Sequence, residues 1–175
     1  SPDGSSVLTA SWDCSAKIWN RSTGVCMKTL SQHKHRVTSA VFSADGSSVL
    51  TSSWDFIAKI WNSSTGECIV TLIGHKGIVN SAVFSPDGFS VLTASGDWSA
   101  KIWNRTTGEC MKTLIGHTFV LKSALFSPDG SSVLTASNDC SAKIWNSSTG
   151  ECMKTLVGHF QGLLSAVFSP DGSSV

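Results

Sequence analysis

A strict internal repeat is the feature that most constrains how this chain folds. Tryptophan recurs every 42 residues without insertion or deletion, at Trp19, Trp61, Trp103 and Trp145. The heptapeptide Ser-Pro-Asp-Gly-Ser-Ser-Val both opens the chain and closes it. Four whole units are therefore followed by the start of a fifth, with bounds 1–42, 43–84, 85–126, 127–168 and 169–175. A period of this length is typical of folds in which one small supersecondary unit is stacked repeatedly.

Four short β-strands are predicted within each unit. Over one period of the repeat they cover residues 39–43, 48–53, 58–62 and 68–72. These segments are rich in Val, Ile, Thr and Trp, which favour strands, and turns that contain Gly, Asn, Asp or Pro separate them. Because four strands fill the 42 residues, no room is left for a helix. The sequence thus predicts an all-β chain built from small antiparallel sheets.

The motifs of each unit resemble those of the WD40 repeat. Over one period of the repeat they are Gly74-His75, the Ser-Pro-Asp-Gly turn at 85–88, Asp97 and the Lys-Ile-Trp-Asn segment at 101–104. The resemblance covers the whole chain and recurs four times in register. It implies a β-propeller segment of four four-stranded antiparallel blades. Two departures, Trp-Asn in place of Trp-Asp and Gln32 in place of the first glycine, leave the tryptophan and histidine of each motif intact.

The two ends of the chain are complementary parts of one unit. The N-terminal blade holds Thr9, Asp13 and Trp19 but lacks a histidine and a first strand, whereas the last residues hold His159 and the strand-like segment 165–169. Since WD-repeat propellers commonly have seven blades, the resemblance implies an open arc or part of a larger ring. We expect the arc to be completed by further blades of a longer parent chain or by a homo-oligomer, for example two chains that form eight blades.

Each unit carries a hydroxyl, an aspartate, a tryptophan and a histidine, which invites comparison with a hydrolase triad. A nucleophile is needed once, however, and here the set is copied in every unit with an indole that can only donate. The resemblance implies structural hydrogen-bond sets rather than catalysis, so we expect no enzyme and no cofactor. No further ligand accompanies His33 and His35 at metal-binding spacing, so no metal is expected either. The sets are His33, Thr51, Asp55 and Trp61; His75, Thr93, Asp97 and Trp103; His117, Thr135, Asp139 and Trp145; and Thr9, Asp13 and Trp19, which lack a histidine unless His159 supplies it.

The four units differ from one another mainly in two short stretches, one around the aspartate of the second turn and one after the histidine. The resemblance places both stretches on one rim, the top face of a propeller. Loops tolerate neutral change, but the other exposed turns vary only mildly, which favours selection at this rim. We therefore expect a scaffold that binds a protein or peptide, with self-assembly as the alternative. The predicted partner-binding residues are Trp12, Cys14, Lys34, His35, Arg36, Trp54, Phe56, Lys76, Ile78, Asn80, Trp98, Phe119, Lys122, Asn138, Phe160 and Gln161.

Charge and composition exclude several other functions. The net charge is +1, so the chain lacks the clustered basic residues that a nucleic-acid backbone requires. No apolar run approaches the roughly 18–20 residues of a membrane helix. The six cysteines offer no evident disulfide pair or metal motif, and we expect small buried apolar residues in a reducing, cytoplasmic compartment.

Overall fold

A computed structural model describes all residues from 1 to 175 as an all-β chain. No helix in it has the length and hydropathy needed to cross a membrane. The fifteen strands are β1 (Ser6–Ala10), β2 (Ala16–Asn20), β3 (Cys26–Leu30), β4 (Val37–Phe42), β5 (Ser48–Ser53), β6 (Ala58–Asn62), β7 (Cys68–Leu72), β8 (Val79–Phe84), β9 (Ser90–Ser95), β10 (Ser99–Asn104), β11 (Cys110–Ile115), β12 (Leu121–Phe126), β13 (Ser132–Ser137), β14 (Ser141–Asn146) and β15 (Cys152–Val157).

These strands form four antiparallel sheets in which sequence neighbours pair, and we call the sheets blades 1 to 4. Blade 1 contains β1–β3, blade 2 β4–β7, blade 3 β8–β11 and blade 4 β12–β15. The predicted all-β fold is confirmed, but only three of the four blades have the predicted four strands. Blade 1 has three because the chain enters that unit at the turn before its second strand.

The hydrophobic core lies between blades rather than within one of them. Ile18 and Leu30 of blade 1 pack with Val49 and Trp61 of blade 2 in a single buried cluster. Corresponding clusters join blade 2 to blade 3 and blade 3 to blade 4, and each contains the tryptophan of the later blade. A small sheet whose two faces both meet neighbours must be apolar on both, which explains why apolar and polar residues do not alternate cleanly along these strands.

The blades form an open arc, as predicted. The first strands β4, β8 and β12 contact one another in succession, so they line the inner side of the arc. No sheet joins blade 4 back to blade 1. Residues 158–175 follow β15 without forming a strand.

A β-bulge in the first strand links blade 2 to blade 3, and a second one links blade 3 to blade 4. The register shifts around Thr38 in β4 and around Asn80 in β8, so each of these residues is the extra one. A bulge redirects the side chain of its extra residue. The Thr38 hydroxyl donates to the carbonyl oxygen of Val79 at 2.6 Å, and the Asn80 amide donates to that of Leu121 at 2.7 Å.

Blade 3 lacks part of a polar network that blade 2 contains. In blade 2 the hydroxyl oxygens of Thr38 and Ser39 each lie 2.7 Å from that of Ser52. Ala94 occupies the position of Ser52 in blade 3, and Ser81 is the counterpart of Ser39. The Ser81 hydroxyl is buried there without any hydrogen-bond partner. A buried polar group in this state weakens a fold by about 1–3 kcal/mol.

We therefore expect Ala94→Ser to raise the free energy of unfolding by about 1 kcal/mol, because the new hydroxyl would pair with Ser81. Urea denaturation of the chain measures the change. The reverse substitution in blade 2, Ser52→Ala, is the matched control and should lower the free energy of unfolding. If Ala94→Ser destabilises the chain, blade 3 has no space for the oxygen and the unpaired hydroxyl does not limit stability.

Candidate functional site: the top rim of the arc

A chain of three hydrogen bonds crosses the upper part of blade 2. The Trp61 indole N–H donates to Thr51 Oγ1 at 2.8 Å, and Thr51 Oγ1 lies 2.7 Å from His33 Nε2. His33 Nδ1 lies 2.9 Å from Asp55 Oδ2. Since an indole can only donate, the threonine hydroxyl accepts from it and donates onward, and the histidine then donates to the carboxylate. Each of the four side chains therefore has a hydrogen-bond partner, and donation runs from the tryptophan to the aspartate.

Blades 3 and 4 repeat this chain with the same partners. His75 and His117 each lie 2.7–2.8 Å from the threonine and 2.6–2.7 Å from the aspartate of their blades. In blade 1 the Trp19 indole donates to Thr9 at 2.9 Å, but no histidine follows. His159, the only candidate for that place, is exposed at the far end of the arc.

The pKa values of these groups favour the neutral histidine that this bond direction requires. Burial lowers the pKa of His33 and His117 below 6.5, although the hydrogen bonds to their aspartates act in the opposite sense. Burial alone would raise the pKa of Asp139, but hydrogen bonds from Ser141, from the Thr118 N–H and from the histidine lower it to about 2. At neutral pH the pair is therefore a neutral imidazole that donates to a carboxylate.

This geometry leaves no group free for nucleophilic chemistry. The Thr51 side chain is fully buried, and its oxygen is already shared between an indole and an imidazole. Both ring nitrogens of His33 have partners, so neither has a lone pair free to bind a metal together with His35. What the arrangement does is fasten the loop before each blade to the second and third strands of that blade.

Repeated four-stranded blades with the same Trp–Thr–His–Asp chain in blades 2, 3 and 4 point to one family. A model of the family described as WD domain, G-beta repeat matches residues 1–20, 24–62, 66–104, 108–146 and 150–175. The chain belongs to the WD40 family. Members of this family generally serve as scaffolds for protein interactions. No curated protein matches the chain.

The two variable stretches of this WD40 chain meet at one end of the blades, which we call the top rim. One stretch is the turn between the second and third strands, and the other is the loop that precedes the first strand. Both lie at the same end because the strands run antiparallel. In blade 2 the Trp54 N–H donates to the Arg36 carbonyl at 2.9 Å, and the Ser53 hydroxyl donates to the His35 carbonyl at 3.0 Å.

Large aromatic side chains are exposed along this rim. Their exposed fractions range from 37% for Trp54 to 97% for Phe160. The others in this group are Trp12, Phe56, Trp98 and Phe119. Monomeric proteins rarely leave so many large aromatic side chains in solvent along one edge without a function.

Two aromatic stacks order part of the rim. The Arg36 guanidinium carbon lies 4.1 Å from the ring centroid of Trp12 and 4.9 Å from that of Trp54, so it connects blade 1 to blade 2. His35 also stacks on Trp54, with ring centroids 5.5 Å apart. Further along the arc, Trp98 of blade 3 stacks on Phe119, with centroids 6.2 Å apart.

The residue after the rim aspartate has a left-handed backbone in every blade. The φ angles are 70° for Cys14, 71° for Phe56, 70° for Trp98 and 68° for Cys140. Glycine adopts this conformation without steric cost, whereas a bulky residue is strained there by roughly 1–3 kcal/mol. Phe56 and Trp98 thus occupy positions at which an aromatic residue weakens the fold.

Several of the predicted rim residues have other surroundings. The Asn80 amide is used in the bond to blade 4 rather than being free for a partner. Ile78 and Lys122 are half-buried, while Lys34 and Lys76 are exposed. Asn138 and Gln161 lie at the blade 4 end of the rim, where the Leu163 N–H bonds the Ser137 carbonyl at 2.9 Å.

The prediction that the cysteines are buried is wrong. Cys26, Cys110 and Cys152 are exposed, and Cys14, Cys68 and Cys140 are half-buried. Each blade has one cysteine at the start of its last strand, and that strand forms the outer edge of the sheet. These four residues are Cys26, Cys68, Cys110 and Cys152. The sequence reveals the repetition of these residues but not their edge position.

We expect Trp61→Phe to lower the free energy of unfolding by about 1–3 kcal/mol, because phenylalanine cannot donate to the buried Thr51 oxygen. Trp54→Ala, at an exposed rim position, should cost much less. Trp19→Phe is the matched control, since this indole is partly exposed and no histidine continues its bond. Denaturant titration gives the three values. Equal unfolding midpoints for Trp61→Phe and Trp54→Ala would contradict the assigned role of the bond chain.

Proposed function

We propose that this chain is a non-catalytic scaffold that binds a protein or peptide partner through the top rim. The observation that carries the proposal is the presence of exposed Phe56 and Trp98 at left-handed positions. Folding alone would favour glycine at both positions. Retaining two aromatic side chains there, at a cost in stability, is understandable if their exposed faces bind something.

The distribution of variation between blades supports the same proposal. The bond chain is the same in blades 2, 3 and 4, and it fastens the loops from which the variable residues project. Aromatic residues and arginine, which the rim contains, contribute disproportionately to binding energy at protein interfaces. Blades that share one structure but differ in their rim side chains are suited to binding a partner rather than to catalysis.

The test is to select peptides from a random library on the chain and to measure their affinities directly. We expect Trp98→Gly to weaken binding of the selected peptides about tenfold or more. The same change should leave the free energy of unfolding nearly unchanged, because relief of backbone strain offsets loss of the stack on Phe119. Phe89→Ser is the matched control, since Phe89 is an exposed aromatic at the opposite end of blade 3 and the other units have serine there. Peptides that are sensitive to Phe89→Ser and not to Trp98→Gly would contradict the proposal.

A second candidate function is self-assembly, favoured by the unfinished contacts of Arg21. Its counterpart in blade 3, Arg105, donates to the Gly88 carbonyl at 3.0 Å and to Ser48 of the preceding blade at 2.9 Å. Arg105 also lies 4.9 Å over the ring of Phe84. Arg21 makes only a long contact of 3.4 Å with its own turn.

By the repeat, the missing partners of Arg21 are a serine equivalent to Ser132 and a phenylalanine equivalent to Phe168. A preceding blade 4 together with its following segment 163–168 supplies both residues, and it also supplies His159 for Thr9 and Trp19. We propose that the segment 163–168 pairs with the open edge of β1 in a second copy. A further repeat in a longer polypeptide would supply the same groups.

Light scattering of the 175-residue chain at increasing concentration tests this association, with proline variants as probes. In blade 2 Ser43 bonds Ser48 through its N–H, so by alternation the N–H of Val41 also faces the neighbouring strand. Val167 is equivalent to Val41, and Val167→Pro should abolish association. Ala166→Pro is the control, because the N–H at that position faces away from the neighbour. A monomer at every concentration, or equal effects of both prolines, would contradict self-assembly.

We also propose a reducing compartment for this protein. All six cysteines are free. Exposed thiols such as Cys26 and Cys110 persist unmodified only where the surroundings keep them reduced.

A further inference from the structure

Arg36 combines a fixed position with unused hydrogen-bonding capacity. Its guanidinium is held against Trp12 of blade 1 and Trp54 of blade 2, at 4.1 and 4.9 Å from their ring centroids. These contacts with two aromatic rings are not hydrogen bonds, so they leave its N–H donors available. None of those donors has a hydrogen-bond partner, since the only bond of Arg36 to a side chain is made by its backbone N–H.

No acidic residue of the chain neutralises this cation. Within 4.0 Å the only acid–base contacts in the structure are those between histidine and aspartate in blades 2, 3 and 4. The rim carboxylate of blade 2, Asp55, accepts from His33, from the Lys34 N–H and from the Ile57 N–H. In blade 1, Asp13 accepts from Ser15 through Oδ1 alone. Neither of these two carboxylates forms an ion pair with Arg36.

We propose that Arg36 is the anchor of an oxyanion-binding site on the top rim, and that its ligand is a peptide side chain bearing a carboxylate or a phosphate ester. The inference rests on the proposed rim function and names the chemical class of the partner. A planar guanidinium matches the two oxygens of such a group with two parallel hydrogen bonds. The exposed Lys34, two residues earlier, adds a second positive charge, and the two indoles give the rest of the peptide an apolar surface.

Holding the arginine in place before binding increases the affinity of the site for an oxyanion. A free arginine side chain loses about 2 kcal/mol of rotamer entropy when it is fixed. Contact with two indoles restricts Arg36 in advance, so less of this entropy is lost when an oxyanion binds. The other rim cations, Lys76 and Lys122, have no comparable pair of rings against them.

The test uses three blocked decapeptides in which glycine alternates with glutamate, glutamine or phosphoserine, with affinities measured by calorimetry at low and at high salt. We expect the glutamate or the phosphoserine peptide to bind about tenfold or more tightly than the glutamine peptide, and comparison of those two identifies which oxyanion the site prefers. Salt should weaken only the charged peptides. Arg36→Lys keeps the charge but not the planar fork, and it should remove most of the discrimination. Lys154→Gln, at an exposed lysine in the outer strand of blade 4, removes a positive charge away from the rim and should change nothing.

The outcomes separate this inference from the rim function itself. If the three peptides bind equally, or none binds, the oxyanion site is wrong, and so it is if discrimination survives Arg36→Lys. The rim function still stands in each case if library-selected peptides lose affinity on Trp98→Gly. If those selected peptides are indifferent to the rim while the acidic peptides still depend on Arg36, the broader function fails and only a local anion site remains.

Discussion

The interaction on which this structure depends is the hydrogen bond from each buried indole to a threonine hydroxyl. In blade 2 the Trp61 ring is almost completely buried against blade 1, and its N–H would be unsatisfied without Thr51. The threonine hydroxyl in turn donates to His33, and His33 donates to Asp55 at the rim. The apolar contact between blades and the shape of the loop above them are thus joined through one chain of polar atoms. A blade could not pack its tryptophan in this way and leave the rim loop unfastened.

The aspartate at the end of that chain also holds the backbone of the rim turn. Its Oδ1 accepts the N–H of the residue two positions later in every blade, and the residue between them has a left-handed conformation in all four blades. Blade 1 has this conformation at Cys14 although no histidine reaches Asp13, so the aspartate turn alone is sufficient for it. The fold does not require a particular side chain at this left-handed position. Cysteine, phenylalanine and tryptophan all occur there on the same backbone. A recognition surface requires a rigid scaffold and loop positions whose side chains can vary, and the blades provide both.

Much of this fold could be predicted from sequence, because a repeat of constant length carries local signals four times. The strands of blade 2 begin and end within about two residues of the predicted positions, and the open arc was expected. Contacts between units were harder to predict. The stacking of Arg36 on Trp12 joins residues of different blades, and the sequence shows only that both positions vary. Asn80 was assigned to the rim because its position varies, but a bulge turns it toward blade 4. The exposure of Cys26 depends on the edge position of its strand, which no pattern in composition reports.

The inter-blade core gives the molecule a nearest-neighbour cooperativity like that of a linear lattice. Since every hydrophobic cluster is shared by two adjacent blades and no cluster spans three, the stability of the arc is a sum over its three junctions. An interior blade can open only by disrupting two junctions, whereas a terminal blade disrupts one. Local opening should therefore begin at the ends of the arc, and each added blade should extend protection to the one before it. In such a lattice the rim segment that spans blades 2 and 3 is the most rigid part of the surface.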